Sequence, residues 1–162
     1  MIQNIIFDFD GVLVDSEIIV SRAFRQYLGN LNIEVSEKEF ANFAGNKTVD
    51  VITQLSNRFN IQNQQKFYNN IMSIAGKIYN KNLTSVIGVE KFIRKIKQKK
   101  FIASNSGKER IIQGLKNVDL YQFFEEKNIY SFDMVKKAKP EPDIYLKIIK
   151  DTKINLEETI II

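Results

Sequence analysis

The chain has 162 residues, and its 44% hydrophobic and 27% charged residues are typical of a globular protein and argue against a wholly disordered chain. It contains no cysteine and no histidine, which excludes disulfides, thiol nucleophiles and imidazole bases, so Asp, Glu, Ser, Thr, Tyr, Lys and Arg must carry any catalysis. The net charge is +5, but the densest basic stretch, residues 91–100, has the apolar spacing of a helix with a solvated charged face. No motif for nucleic-acid binding accompanies it, so we expect no nucleic-acid partner.

The N-terminal residues predict a buried strand rather than a targeting segment. Residues 4–9 form a short apolar run that ends in acidic residues, as buried parallel strands do. A secretory signal requires a basic region before its apolar run, and no such region precedes this one. No apolar stretch reaches the roughly 18 residues of a membrane span. We therefore expect a cytoplasmic protein without a membrane partner.

A block of helical patterns without strand candidates follows the first strand. Its predicted helices cover residues 17–28, 37–43, 48–59 and 64–80. Ser36 and Glu39 have the spacing of a capping box at the start of the second helix. We predict that residues 16–84 form an inserted α-helical domain and that the sheet resumes at residues 85–88.

Helices and strands alternate in the rest of the chain. The predicted helices are residues 89–99, 108–117 and 143–151, and the predicted strands are residues 101–104, 128–131 and 159–162. This alternation implies right-handed β–α–β units and an open parallel sheet. Residues 1–15 and 85–162 should therefore form a Rossmann-like α/β core that binds ligands at the carboxyl ends of its strands.

Two carboxylates end the first predicted strand. Asp8 and Asp10 are two residues apart, so on an extended chain their side chains point the same way, and Gly11 allows a sharp turn and a close approach of the backbone to a ligand. Two neighbouring carboxylates repel unless a cation or a shared proton compensates them. Mg²⁺ is commonly held by one or two carboxylates with phosphate and water. We predict that Asp8 and Asp10 bind Mg²⁺.

Three segments together resemble the motifs of phosphatases of the haloacid dehalogenase superfamily. DFDGVLVDSE at residues 8–17 resembles the first motif, FIASNS at 101–106 the second, and KPEPDIY at 139–145 the third. The helical insertion after the first motif is similar to the α-helical cap of the subgroup that contains phosphoglycolate phosphatases, sugar-phosphate phosphatases and β-phosphoglucomutase. The resemblance covers essentially the whole chain.

The resemblance implies a phosphoryl-transfer site made of four residues. Asp8 would be the nucleophile that forms an aspartyl-phosphate, and Asp10 would protonate the leaving oxygen and then activate water. Ser104 would donate its hydroxyl to the phosphoryl group, and Lys139 would neutralise the charge of that group.

Further residues are candidates for substrate binding. Gly11 would let the backbone approach the ligand, and Asn105, beside Ser104, is a candidate phosphate contact. FAGNKT at residues 43–48 resembles the cap loop that faces the leaving group, where Asn46 and Lys47 would recognise an anionic or hydroxylated substrate.

The fourth motif of this family consists of one or two acids directly after the fourth strand, and they complete the Mg²⁺ site. Here the fourth predicted strand ends at Ile162, so the resemblance implies a core that is truncated on its C-terminal side. It also predicts weak metal binding and a bare apolar edge at that strand.

The predicted function is the Mg²⁺-dependent hydrolysis of a small phosphorylated metabolite, such as a sugar phosphate or phosphoglycolate. A sugar-phosphate mutase that uses the same site is one alternative, and a catalytically weak or inactive fragment that lacks the last metal-binding acid is another. A dehalogenase is disfavoured, because halide displacement needs neither an acid at Asp10 nor a metal.

Overall fold

The computed structural model of the protein describes residues 1–41, 43, 46 and 48–162. This part of the chain forms two compact units. Met1–Ser16 and Leu83–Ile162 make up the first unit, and Glu17–Asn82 make up the second. We call them the sheet unit and the helical unit.

A parallel sheet organises the sheet unit. Its strands are β1 (Asn4–Phe7), β2 (Lys99–Ser104), β3 (Ile129–Ser131) and β4 (Thr159–Ile161). They lie in the order β3-β2-β1-β4, and every neighbouring pair is parallel. The predicted α/β class is thus confirmed. Because all the strands run in one direction, their carboxyl ends lie along the same edge, where ligands bind in open parallel sheets.

Helices of the sheet unit cover the central strands. The α-helices of this unit are α5 (Val89–Lys95), α6 (Lys108–Asn117) and α7 (Asp143–Thr152). Short 3-10 helices cover Tyr121–Phe123, Glu126–Asn128, Phe132–Met134 and Leu156–Glu158. Phe101 and Tyr130 from the sheet and Ile144 and Ile148 from α7 are at most 2% exposed and belong to one core cluster. This packing buries the apolar stripe of α7 against the sheet.

Two predictions between residues 85 and 99 were wrong. The helix expected over 89–99 ends at Lys95, because Ile96 adopts an extended conformation and the Lys99 N–H already donates to Gln3 O at 2.9 Å. Pairing with β1 overrides the helix propensity of this basic run. Residues 85–88 do not form a strand of the sheet, since Ser85 makes only an isolated antiparallel bridge with Val14.

The helical unit contains the predicted helices, with small shifts at their ends. They are α1 (Glu17–Asn30), α2 (Glu37–Ala41), α3 (Thr48–Phe59) and α4 (Gln64–Asn82). Phe24 of α1 and Phe67 of α4 meet edge to face, with ring centroids 5.8 Å apart. Leu55 of α3 and Ile71 of α4 are fully buried. The amphipathic faces therefore pack into a core of the unit's own.

The predicted capping box at the start of α2 is confirmed. Ser36 Oγ accepts the Glu39 N–H at 3.3 Å, and the Glu39 carboxylate accepts the Ser36 N–H at 2.9 Å. Arg58 of α3 also reaches Glu39, with Nη2 2.8 Å from Oε1. The Ser36 backbone hydrogen bond, followed by the Arg58 side chain, lowers the pKa of Glu39 from 4.5 to about 2.

This capping box should make the stability of the protein depend on pH. Glu39 has a lower pKa in the folded chain than in the unfolded chain, so its contribution is complete above about pH 4.5 and is lost as the pH falls towards 2. We expect the difference in free energy of unfolding between wild type and Glu39→Gln to shrink across that range. Urea unfolding at several pH values measures it, and Glu34→Gln, another exposed glutamate of the helical unit, controls for net charge. A difference that stays constant with pH would contradict this account.

The β4 strand lies at one edge of the sheet. Its Thr159 pairs with Asn4 of β1, but Ile160, Ile161 and Ile162 remain 43%, 52% and 46% exposed. These three side chains form apolar surface at this edge of the described sheet. No helix within the described ranges is both long enough and apolar enough to cross a bilayer.

Candidate active site

A tight turn after β1 places the first two candidate residues at the carboxyl edge of the sheet. The Phe9 carbonyl accepts the N–H groups of Leu13 and Val14, at 3.0 and 3.1 Å, and both Phe9 and Leu13 are fully buried. Gly11 has a φ of 76°, in the left-handed region that favours glycine. The turn is why β1 ends two residues earlier than predicted, and it presents Asp8 and Asp10 outside the strand.

Asp8 is paired with the predicted lysine. Lys139 Nζ lies 2.8 Å from Asp8 Oδ2 and donates a second hydrogen bond to the Ala103 carbonyl at 3.0 Å. The other oxygen, Asp8 Oδ1, accepts the Phe9 N–H at 2.6 Å. The Lys139 side chain is 16% exposed and that of Asp8 is 37% exposed, so the ammonium is largely enclosed while the carboxylate keeps an accessible side.

Asp10 is held by two residues that the sequence did not predict. Ser106 Oγ donates to Asp10 Oδ2 at 2.6 Å, and Arg110 Nη2 lies 3.4 Å from Asp10 Oδ1. Ser106 and Arg110 are four residues apart around the start of α6. This spacing and the place of Ser106 inside the second motif were the signals available in the sequence. Asp10 thus has a hydroxyl partner and a cationic partner.

Ser104 ends β2 and is fully buried. Its Oγ accepts the Ser106 N–H at 2.9 Å, which fixes the turn that presents Ser106 to Asp10. A hydroxyl that accepts one hydrogen bond still carries a proton to donate, so this contact is compatible with the predicted role of Ser104 as a donor to a phosphoryl group.

Asn105 has a different partner from the one expected. Its Nδ2 donates to the Lys139 carbonyl at 3.0 Å, and its Oδ1 accepts the Lys139 N–H at 2.9 Å. The side-chain amide thus binds the main chain of the candidate lysine, and a contact of Asn105 with phosphate stays a prediction.

The predicted cap-loop residues lie in another part of the chain. Asn46 belongs to the helical unit, is exposed, and donates its N–H to Phe43 O at 3.0 Å. It helps to line a cavity of about 560 Å³ between α1, α2 and α3, beside the ion pair of Arg25 and Glu37. Lys47 lies outside the described residues. Within the sheet unit the structure brings the candidate residues together, and Asn46 is described within the helical unit by itself.

The donors at the sheet edge suit a hard divalent cation. Asp8 and Asp10 supply carboxylate oxygens, the ligand type that Mg²⁺ prefers. Among the described residues, no group of three or more His, Cys, Asp or Glu side chains surrounds a common point. One or two carboxylates with substrate phosphate and water form a usual Mg²⁺ site. The residues present therefore fit Mg²⁺ bound together with a phosphate.

Comparison with known proteins gives a family match and two curated relatives. The family model described as haloacid dehalogenase-like hydrolase matches residues 5–162. The chain is 23% identical over 163 residues to the 6-phosphogluconate phosphatase of Escherichia coli, covering 99% of this chain and 73% of that protein. It is 23% identical over 164 residues to the phosphorylated carbohydrates phosphatase of Thermotoga maritima, covering 98% and 74%.

A solved structure shows the same fold. The haloacid dehalogenase family hydrolase from Deinococcus radiodurans, determined with bound phosphate and sodium, superposes with a TM-score of 0.82 at 23% identity. The similarity covers 99% of this chain and 71% of that one.

Proposed function

The chain belongs to the haloacid dehalogenase-like hydrolase family, and the two curated relatives described above are phosphatases. From this premise we propose that the chain is a phosphatase that hydrolyses phosphomonoesters of small sugar-type metabolites through an aspartyl-phosphate. The observation that carries the proposal is the Asp8 carboxylate, held at the carboxyl edge of β1 by Lys139 at 2.8 Å. The two curated relatives described above are named for phosphorylated sugar compounds, which supports this substrate class.

In the first step, an Asp8 carboxylate oxygen attacks the phosphorus in line with the leaving oxygen. The new Oδ–P bond forms as the bond from phosphorus to the metabolite oxygen breaks, and Asp10 gives that oxygen a proton. Lys139 neutralises charge on the phosphoryl oxygens in the transition state. Ser104 donates its hydroxyl to the same group.

In the second step, Asp10 takes a proton from water, which attacks the phosphorus of the aspartyl-phosphate. The Oδ–P bond breaks, inorganic phosphate leaves, and the Asp8 carboxylate is restored. Ser106, whose Oγ lies 2.6 Å from Asp10 Oδ2, would orient the carboxyl group of Asp10 in both steps. The same aspartate thus serves in turn as acid and base.

Asp8 and Asp10 would hold Mg²⁺. When bound, the ion offsets the negative charge of the phosphate and of the two aspartates. Gly11 lets the backbone of the turn approach the phosphate.

The two units would have different roles, one in catalysis and the other in substrate recognition. We assign catalysis to the sheet unit, which holds Asp8, Asp10, Ser104 and Lys139, and assign the role of a cap to the helical unit. Asn46 and Lys47 would recognise the leaving group from that cap.

Phosphate release tests the function. The full chain should release inorganic phosphate from 6-phosphogluconate, glucose 6-phosphate, phosphoglycolate and p-nitrophenyl phosphate in the presence of Mg²⁺, and EDTA should stop the release. Conversion of β-glucose 1-phosphate to glucose 6-phosphate without phosphate release would show the mutase alternative instead. No turnover of any of these compounds with Mg²⁺ would refute the proposal.

Ser106→Ala should lower kcat about tenfold or more, because it removes a short hydrogen bond to a charged acid–base group. Ser106→Thr keeps the hydroxyl and should retain most of the activity. Steady-state kinetics with the best sugar phosphate measure both variants. Ser73→Ala, at an exposed position of α4, is the matched control. Equal activity of wild type and Ser106→Ala would exclude a role for this contact in catalysis.

A further inference from the structure

We propose that Asn105 is a positioning residue that holds the backbone of Lys139, and that it acts on the phosphate only through that lysine. The inference rests on the proposed function of Lys139. It assigns Asn105 a role different from that of a direct phosphate ligand.

The contact between Asn105 and Lys139 has two points. The side-chain amide donates to the Lys139 carbonyl at 3.0 Å and accepts the Lys139 N–H at 2.9 Å, across 34 residues of sequence. One amide thereby engages both main-chain polar groups of one residue, as a neighbouring strand would. A two-point contact fixes the direction of the bound backbone as well as its distance.

The end of β2 also holds the tip of the same lysine. The Ala103 carbonyl accepts from Lys139 Nζ at 3.0 Å, and Asp8 Oδ2 lies 2.8 Å from that nitrogen. Ala103 lies in β2, and Asn105 directly follows Ser104, the last residue of that strand. The end of β2 and the residue after it therefore contact Lys139 at both ends of its side chain.

This arrangement matters because lysine is a point charge on a long flexible stem. When the Lys139 backbone is held, the position of its ammonium depends only on the conformation of the Lys139 side chain. The hydrogen bond to the Ala103 carbonyl favours one such conformation. A displacement of about 1 Å in a reacting group can cost roughly 100-fold in rate. Loss of the Asn105 contact should therefore affect catalysis through the placement of Lys139 Nζ.

Hydrogen exchange tests the contact without any need for activity. In the full chain labelled with ¹⁵N-lysine, we expect the Lys139 amide to exchange at least about tenfold faster in Asn105→Ala than in wild type, because its acceptor is gone. Asn105→Asp keeps an acceptor oxygen and should keep the protection. Gln122→Ala, which removes another exposed side-chain bond to a backbone carbonyl, should leave this amide unchanged. Equal exchange in wild type and Asn105→Ala would overturn the proposal.

Kinetics then test whether Asn105 acts through Lys139. We expect Asn105→Ala to lower kcat by about 10- to 100-fold, with KM within about twofold of wild type. In a Lys139→Met background the same substitution should cause no further loss of kcat, since the effects of residues that act as a unit are not additive. A raised KM at unchanged kcat, or the same loss in both backgrounds, would make Asn105 a direct substrate contact and overturn the proposal. If wild type hydrolyses no phosphomonoester, the proposed function fails, while the exchange experiment still decides whether Asn105 holds Lys139.

Discussion

Asp8→Asn should abolish phosphate release, with kcat lower by about 10⁴-fold or more, the scale on which the loss of a catalytic nucleophile acts. Asparagine keeps the shape of the side chain and can still accept the Phe9 N–H that Asp8 Oδ1 accepts at 2.6 Å. It lacks the anionic oxygen that would attack phosphorus, so the loss is chemical rather than structural. Phosphate release with p-nitrophenyl phosphate and Mg²⁺ measures the effect.

Two controls separate the nucleophile from a general loss of charge. Asp151→Asn removes an aspartate of the same unit that pairs with Lys147 on α7 and hydrogen-bonds Tyr130. Asparagine can still accept the Tyr130 hydrogen bond, and surface ion pairs contribute little, so kcat should stay within about twofold. With p-nitrophenyl phosphate, whose leaving group needs little protonation, Asp10→Asn should slow the second step more than the first. Intact-protein mass spectrometry should then detect a phosphoryl adduct in Asp10→Asn and none in Asp8→Asn. Robust turnover by Asp8→Asn would refute the covalent mechanism.

Lys139→Met should lower kcat/KM by about 100- to 1000-fold, the range for removal of one charge-stabilising donor in a transition state. Methionine keeps much of the apolar stem but removes the ammonium that lies 2.8 Å from Asp8 Oδ2. Without it, the phosphate must approach the Asp8 carboxylate with one compensating cation fewer. Steady-state kinetics on a sugar phosphate, with urea unfolding as a check on folding, measure the effect.

Lys137→Met is the matched control for this substitution. Lys137 lies two residues from Lys139 in the same loop and is exposed, so its replacement makes the same change in net charge without touching the Asp8 pair. It should keep kcat/KM within about twofold of wild type. A comparable loss in both variants would mean that the general charge of the loop, rather than Lys139 itself, governs the reaction.

The two aspartates of the candidate site could be predicted because their signal is local. An apolar run that ends in Asp8, Asp10 and Gly11 describes a buried strand, two carboxylates on one side and a turn, all within a few residues. The structure has the strand and the turn there, with the φ of Gly11 at 76°. Lys139 was predicted from the resemblance of residues 139–145 to the third motif, because it directly precedes a proline, whereas Lys136 and Lys137 do not.

The partners of these residues could not be predicted, because they are far away in the sequence. Ser106 and Arg110 reach Asp10 across 96 and 100 residues, and Asn105 reaches Lys139 across 34. The place of Asn105 beside Ser104 predicted a phosphate contact, and nothing local in the sequence indicated the bond to the Lys139 main chain. The pairing with Lys139 depends on where the loop before α7 meets the end of β2.

Local patterns in the chain were enough to determine the α/β class and the helices α3 and α6 at the predicted residues. They also determined the capping box and the identity of the carboxylate pair. The reason is that the hydrophobic period, helix capping and turn chemistry act over a few residues. Tertiary contact alone decided that the helix after Gly88 stops at Lys95 and that Asn105 binds backbone. The physical reason is that a strand or an amide satisfies its hydrogen bonds with whatever the sheet order β3-β2-β1-β4 brings beside it, and that order is a property of the folded chain.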